Sequence, residues 1–304
     1  MKGRILVIRG GAIGDFILTL PAIAALRRRF PEAGLDILGY PHIVQLARAG
    51  GLVDRVHPIE SRALAGFFAA RGQLAPELMD FFSEFDLIIS YLYDPDGVFQ
   101  ENVRRCSLAQ FLAGPHRPEE ACGQPAATVF LKPLERLAIF DPDPVPRLAL
   151  DSGWPAGTAD LALHPGSGSE SKNWPESSWQ LLLEQLVTSS SLSLLLVGGE
   201  AEGERLHRLA SPLPSDRVRV AQSWPLPDLG RALIGCRAFI GHDSGISHLA
   251  AALGLPCLVL WGRTAEAVWR PSGEQVRVLR HPPGLAHLEV REVLAAAQNV
   301  LCRP

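Results

Sequence analysis

Short apolar runs rich in Val, Ile and Leu alternate along this chain with amphipathic stretches. That alternation is the mark of βαβ units laid on a parallel sheet. In the first half, the pattern predicts strands over Arg4–Ile8, Leu35–Gly39, Arg55–Ile59 and Asp86–Ser90. Helices are predicted over Asp15–Phe30, Ile43–Ala49 and Leu64–Phe82, the last broken near Gly72 and Pro76. Between Tyr91 and Gln124 the pattern weakens, and loops with one helix around Val103–Leu112 are expected, followed by a helix over Ala126–Phe140 bent or divided by Pro133. The stretch DPDPVPRLALDSGWPAG at 141–157 carries Pro142, Pro144, Pro146 and Pro155, which disfavour helix and read as a linker. Beyond it the alternation restarts, with strands over Asp160–His164, Ser193–Val197, Arg217–Ala221, Ala238–Gly241, Pro256–Trp261 and Val276–Arg280. The intervening helices are Trp174–Thr188, Glu200–Leu209, Pro227–Cys236, Gly245–Leu253 and Leu288–Leu301. The expected architecture is α/β: two Rossmann-like domains, 1–145 and 146–304, whose parallel sheets face each other across a cleft.

Composition narrows the function classes. The 304 residues are 47% hydrophobic, enough for two soluble α/β cores. A net charge of -3, with both signs well mixed, argues against nucleic acid as a partner. The five cysteines are scattered without CxxC spacing, which predicts reduced thiols in a cytoplasmic protein and no zinc site. No apolar run approaches the roughly 20 residues a membrane span needs, so any membrane contact is peripheral. The start MKGRILVIRGG reads as a first strand and not as a secretory signal.

Three strand-to-helix loops carry the chemistry. In the first, Arg9–Asp15, the glycines Gly10, Gly11 and Gly14 permit a tight turn ahead of a helix N-terminus that favours anions. A dinucleotide fingerprint fails here, because Arg9 stands where GxGxxG needs its first glycine and Gly39-Tyr40-Pro41 replaces the acidic ribose partner. Hydride chemistry is therefore disfavoured. Asp15 reads either as a helix-capping carboxylate or as a general base.

The second loop, His164–Trp174, offers Ser167, Gly168, Ser169 and Lys172: backbone amides, hydroxyls and one ammonium, the makings of a diphosphate cradle. It misses the Walker A pattern, which disfavours ATPase chemistry. Trp174 and Trp179 read as packing residues. In the third loop, His242-Asp243-Ser244-Gly245 closes a buried strand and opens a helix, with Ser244 and His248 spaced i,i+4. The nucleophile elbow GxSxG is absent, so Asp243, Ser244 and His248 do not make a hydrolase. Asp243, at a strand's C-terminal edge beside a glycine turn, is placed to hold sugar hydroxyls.

Taken together, GAIGDFILTLPAI, HPGSGSESKNWPESSW and GHDSGISHLAAALGLP resemble glycosyltransferase family 9, the heptosyltransferases of lipopolysaccharide-core assembly. The resemblance implies a GT-B fold and an inverting, metal-independent transfer, with no cofactor beyond a nucleotide-sugar donor such as ADP-heptose. It also implies a lipid-linked or core oligosaccharide acceptor and a cytoplasmic enzyme in peripheral contact with the inner membrane. By the same resemblance Asp15 matches the catalytic base and Lys172 the donor-phosphate lysine. Asp243 matches the sugar-contacting aspartate. Ser244, Gly245 and His248 match the phosphate-side turn and helix, and Gly14, Ser167, Gly168 and Ser169 are expected to bind the donor as well. The chain departs from the family at Gly262-Arg263-Thr264-Ala265, where Gly-Pro-Thr-Asp is common. Arg62, Arg71, Arg104 and Arg105 stand as candidates for meeting an acidic acceptor, against the plainer reading of a solvated surface. Alternatives within reach of the sequence are another NDP-sugar donor, a sugar-nucleotide 2-epimerase, and a non-catalytic nucleotide-binding protein.

Overall fold

The computed structural model describes residues 3–151 and 159–301. Part of the expected linker, with Trp154 and Pro155, and also Cys302, lie outside the described residues. Contacts divide the chain into two compact units, Met1–Pro144 and Val145–Pro304.

In the N-terminal unit β1 (Arg4–Arg9) leads through α1 (Ile13–Ile17) and α2 (Leu20–Arg29) to β2 (Gly34–Gly39), α3 (Pro41–Ala49) and β3 (Arg55–Pro58). A 3₁₀ turn at Arg62–Phe68 precedes α4 (Pro76–Ser83), β4 (Leu87–Ser90), α5 (Val98–Arg104), β5 (Gln110–Ala113) and α6 (Ala126–Leu131). The five strands are ordered β3-β2-β1-β4-β5, each pair parallel. Leu6 and Ile8 fall on one face of β1, by the two-residue period of a strand, and pack with Phe67, Phe82 and Phe99.

Two expectations need correcting here. The helix expected at Val103–Leu112 lies earlier, at Val98–Arg104, and Gln110–Ala113 is the edge strand β5. Only Phe111 and Leu112 are buried in that strand, so its apolar run is too short to show in the pattern. The single helix expected over Asp15–Phe30 is two, because Pro21 lacks the N–H that would bond the Ile17 carbonyl and its ring crowds that carbonyl.

The C-terminal unit runs β6 (Leu161–His164), α7 (Glu176–Ser189), β7 (Leu194–Gly198), α8 (Gly203–Ala210), β8 (Val218–Gln222) and α9 (Leu226–Ile234). It continues with β9 (Ala238–His242), α10 (Gly245–Ala252), β10 (Cys257–Trp261), α11 (Glu266–Trp269), β11 (Val276–Arg280) and α12 (Val290–Leu301). Its six strands are ordered β11-β10-β9-β6-β7-β8, all parallel. Leu161, Leu163, Ile240 and Leu258 meet Trp174, Trp179 and Leu183 on one side of that sheet. The chain order reverses between β6 and β9, and the loops leaving those two strands part company there. In open parallel sheets this switch point is where ligands bind.

Candidate active site

The second and third sequence motifs are the two loops at that switch point. Lys172 sits in a single 3₁₀ turn, Glu170–Lys172, in the connection from β6 to α7. Asp243 directly follows β9. The Lys172 Nζ donates to Asp243 Oδ2 at 2.7 Å, joining residues 71 apart in sequence. Asp243 is 9% exposed at its side chain and Lys172 37%, so the ammonium keeps an open side toward solvent. Ser167 is buried, and its hydroxyl lies 2.8 Å from both the Ser169 carbonyl and the Asn173 side-chain oxygen, which fixes the start of the loop. Gly168 and Ser169 are exposed at its crest. A Cβ at Gly168 would meet nothing within 4 Å, so the crest is open ground.

Ser244 is the N-cap of α10, its hydroxyl accepting from the Ser247 amide at 3.3 Å. The His248 amide reaches the Ser244 carbonyl. The helix itself offers no partner to the amides of Gly245 and Ile246, and its dipole adds positive potential there. One ammonium and this helix start converge on the same strand ends, an arrangement suited to a diphosphate. His248 is 5% exposed, so it is buried within α10 and not a surface residue.

Two histidines hold the loops in register. His242 ends β9 on the same face as Ala238 and Ile240, against the edge of Trp179 with ring centroids 5.4 Å apart. The Trp174 amide donates to His242 Nε2 at 2.8 Å, which requires that nitrogen to be unprotonated. The proton is therefore on Nδ1, which donates to the Gly166 carbonyl at 3.1 Å. One neutral imidazole thus clamps both ends of the Lys172 loop. His164 Nδ1 is 3.1 Å from the Ser244 hydroxyl and ties β6 to the start of α10. Burial pulls His164 down to about 3, with His242 nearby adding to the effect. Burial likewise pulls His242 down to about 4. Both are neutral at physiological pH. Trp174 and Trp179, fully buried, are packing residues as the sequence suggested.

Sequence reading passed over His242, whose only signal was a histidine ending an otherwise apolar strand. It also passed over Glu202. This carboxylate follows the second strand of the unit and accepts from the Gly199 amide at 2.9 Å. It crowds Gly166 so closely that a Cβ there would sit 2.3 Å from the Glu202 Cγ. An acidic group at that station commonly holds ribose hydroxyls in related sheets.

In the N-terminal unit Asp15 lies at the C-terminal edge of β1, on the third residue of α1. It is not the N-cap. Ala12 is, and the Asp15 carboxylate reaches back to accept the Ala12 amide at 3.1 Å. Gly11, at φ 101°, brings the loop so close that a Cβ would stand 3.0 Å from Asp15 Oδ2. Gly14 is half-buried in the same turn. Arg9, 3% exposed, runs beneath the loop. Its guanidinium donates to the carbonyls of Asp15 at 3.2 Å and His116 at 2.9 Å, and lies 3.7 Å from Asp15 Oδ1. It also rests on the Phe130 ring, 4.5 Å from its centroid. Burial pulls the guanidinium below its ordinary value and the Asp15 carboxylate opposes that; it stays a cation. The capping and base readings of Asp15 are thus compatible, since one oxygen caps while the carboxylate stays partly exposed.

The sequence profile of glycosyltransferase family 9 (heptosyltransferase) matches residues 145–295. Lipopolysaccharide heptosyltransferase 1 of Pseudomonas aeruginosa is 27% identical over 294 residues, covering 86% of this chain and 79% of its own. The protein of that name in Escherichia coli K12 is 25% identical over 323 residues, covering 96% and 98%. This chain belongs to glycosyltransferase family 9. It is a glycosyltransferase, and its fold is GT-B. E. coli heptosyltransferase WaaC with ADP superposes at a TM-score of 0.77 and 22% identity, covering 98% of this chain and 99% of that one.

The family likeness weakens at Gly262–Ala265, and there the structure shows a local solution. The Trp261 indole donates to the Thr264 carbonyl at 2.8 Å and folds the segment back on β10. Glu266 then pairs with Arg270 and Arg280 at 3.4 and 3.3 Å. Among the described residues, no three His, Cys, Asp or Glu side chains gather as metal ligands, and no helix is long and apolar enough to cross a membrane.

Proposed function

We propose that this chain is an inverting heptosyltransferase that moves heptose from ADP-heptose to a lipopolysaccharide-core acceptor. The observation that carries this reading is the Lys172 ammonium held on Asp243 beside the start of α10, at a sheet switch point. The work divides between the units. In the C-terminal unit Lys172 and the amides of Gly245 and Ile246 take the two phosphates, Glu202 takes ribose hydroxyls, and Asp243 takes a hydroxyl of the transferred sugar. In the N-terminal unit Asp15 accepts the proton of the acceptor hydroxyl.

As that oxygen bonds to the anomeric carbon, the bond from carbon to the β-phosphate oxygen breaks and its electron pair leaves with ADP. Attack from the opposite face inverts the anomeric centre. Fixed positive charge at the leaving phosphate stabilises the transition state by several kcal/mol, and a placed base adds about 10²–10⁴-fold. No step calls for a metal. The enzyme would work in the cytoplasm, in peripheral contact with the membrane that carries its acceptor.

The test is a donor panel of ADP-heptose, UDP-sugars and GDP-sugars with heptose-free lipopolysaccharide acceptor, read by mass spectrometry. The expected products are ADP and an acceptor heavier by one heptose, formed only with ADP-heptose. Transfer from a UDP-sugar instead would move the chain to another donor class. Free nucleotide appearing without acceptor, with an epimerised sugar, would make it an epimerase, and absence of turnover with every donor would leave a binding protein.

A further inference from the structure

Two exposed aromatic rings stand at the edge of the N-terminal sheet that carries Asp15. Tyr93 follows β4 and is 69% exposed, and His116 follows β5 and is exposed too. Their ring centroids are 4.6 Å apart with the planes at 61°. A single exposed aromatic is ordinary. This pair is set apart by how it is held.

The loop bearing Tyr93 is pinned at both ends. Tyr91 is buried and its hydroxyl donates to the Phe130 carbonyl at 2.7 Å. Asp94 accepts the amides of Phe99 and Gln100, both at 3.0 Å, and so fastens the loop to α5. The loop bearing His116 leaves β5 against the Tyr91 ring, so closely that a Cβ on Gly114 would come within 2.8 Å of it. The buried Arg9 guanidinium then joins everything: it donates to the carbonyls of Tyr91 and His116 with one nitrogen and to that of Asp15 with the other. The backbone of the two loops that bear the aromatic pair and the backbone of Asp15 are thus joined by one planar fork.

We propose that Tyr93 and His116 form the platform on which a sugar ring of the acceptor stacks, presenting its hydroxyl to Asp15. The C–H face of a saccharide ring packs well on an aromatic face, and a ring already fixed in solvent loses little freedom on binding. The occupant is a saccharide and not a lipid chain, because the ring carries a hydroxyl, its neighbour is an imidazole, and Asp94 and Asp96 flank the loop. The inference rests on Asp15 being the base of the transfer reaction.

The experiment compares wild type, Tyr93→Ala, Tyr93→Phe and His116→Ala. Side-chain changes at 116 leave the carbonyl used by Arg9 in place. In transfer assays Tyr93→Ala should raise the KM for heptose-free acceptor about tenfold, while donor KM and the slow hydrolysis of donor by water stay at wild-type levels. Tyr93→Phe should stay within about twofold, and His116→Ala should fall between. Saturation-transfer NMR with the deacylated, heptose-free oligosaccharide supplies a readout that needs no turnover, and its contacts should vanish in Tyr93→Ala. An unchanged acceptor KM in an active Tyr93→Ala enzyme, or a parallel loss of donor hydrolysis, overturns the platform and leaves the proposed reaction intact. An inactive wild type that still binds the oligosaccharide through Tyr93 overturns the reaction and leaves the platform. A wild type that fails to bind the oligosaccharide overturns the platform outright.

Discussion

Arg9 and Asp15, six residues apart, meet twice: the guanidinium donates to the Asp15 carbonyl at 3.2 Å and lies 3.7 Å from its carboxylate. The contact turns a flexible glycine loop into a fixed mount for a carboxylate, since the Thr19 hydroxyl donates to the same carbonyl at 2.8 Å. Arg9→Met would leave the carbonyls of Tyr91, His116 and Asp15 without their buried donor. We expect a loss of about 3–5 kcal/mol in urea unfolding, as for other broken buried ionic contacts. Arg9→Lys should recover part of that stability and still lose kcat, because an ammonium cannot bridge the same three carbonyls. A loss under about 1 kcal/mol for Arg9→Met would show that the guanidinium is dispensable.

Asp15→Asn separates capping from catalysis. The amide oxygen still accepts the Ala12 N–H, so the melting temperature should hold. It cannot take a proton, so kcat should fall about 10²–10⁴-fold with donor affinity unchanged. Near-full activity in this variant removes Asp15 from the mechanism.

Lys172 and Asp243 form an asymmetric pair, the ammonium partly open to solvent and the carboxylate buried, which contributes about 1 kcal/mol to stability. Asp243→Asn should therefore melt within about 2 °C of wild type, whereas Lys172→Ala leaves the buried carboxylate unpaired and should melt lower than Asp243→Asn. Lys172→Ala should weaken ADP binding at least tenfold and also slow the chemical step, since it removes charge from the leaving phosphate. Asp243→Asn should act mainly on the sugar, lowering kcat with ADP affinity little changed. Isothermal titration with ADP, beside steady-state kinetics, distinguishes the two patterns.

His164 and His242 give the fold a defined acid sensitivity. Their folded values, about 3 and about 4, lie below the unfolded 6.5, so below that pH the unfolded chain binds more protons than the folded one. Stability is full above pH 6.5 and declines as pH falls from there toward the folded values. At pH 5 each histidine should cost about 2 kcal/mol relative to pH 7.5. His164→Asn places an amide oxygen near the position of Nδ1 for the Ser244 hydroxyl and removes one of these protons. Its stability should fall less steeply between pH 6.5 and 5, measured by urea unfolding, and a slope equal to wild type would contradict the assignment.

The alternation of strands and helices was legible because parallel strands are buried on both faces and read as unbroken apolar runs, such as Ile5–Ile8, Leu194–Val197 and Cys257–Leu260. β5 was illegible because Gln110 and Ala113 are exposed and only two residues report burial. The glycine- and serine-rich loops were legible as the connections at the strand ends, since tight turns restrict residue choice locally. The partnership of Lys172 with Asp243 and the clamping role of His242 were not legible. Both depend on β6 lying beside β9, a choice of topology spread over the whole unit. Arg9 registered only as a missing glycine; that it is a buried cation depends on the carbonyls of Tyr91 and His116, contributed by distant loops, beside that of Asp15 in its own.

Under the proposed function, the ion pair at the switch point also bears on inhibition. A competitor that offers only negative charge meets an ammonium that already has an anionic partner, and must compete with an intramolecular carboxylate at very high effective concentration. A molecule presenting an anion and a hydrogen-bond donor side by side would satisfy Lys172 and Asp243 together and leave neither group bereft. Compact zwitterions and hydroxylated phosphonates are accordingly better starting points for blocking this protein than polyanions of greater total charge.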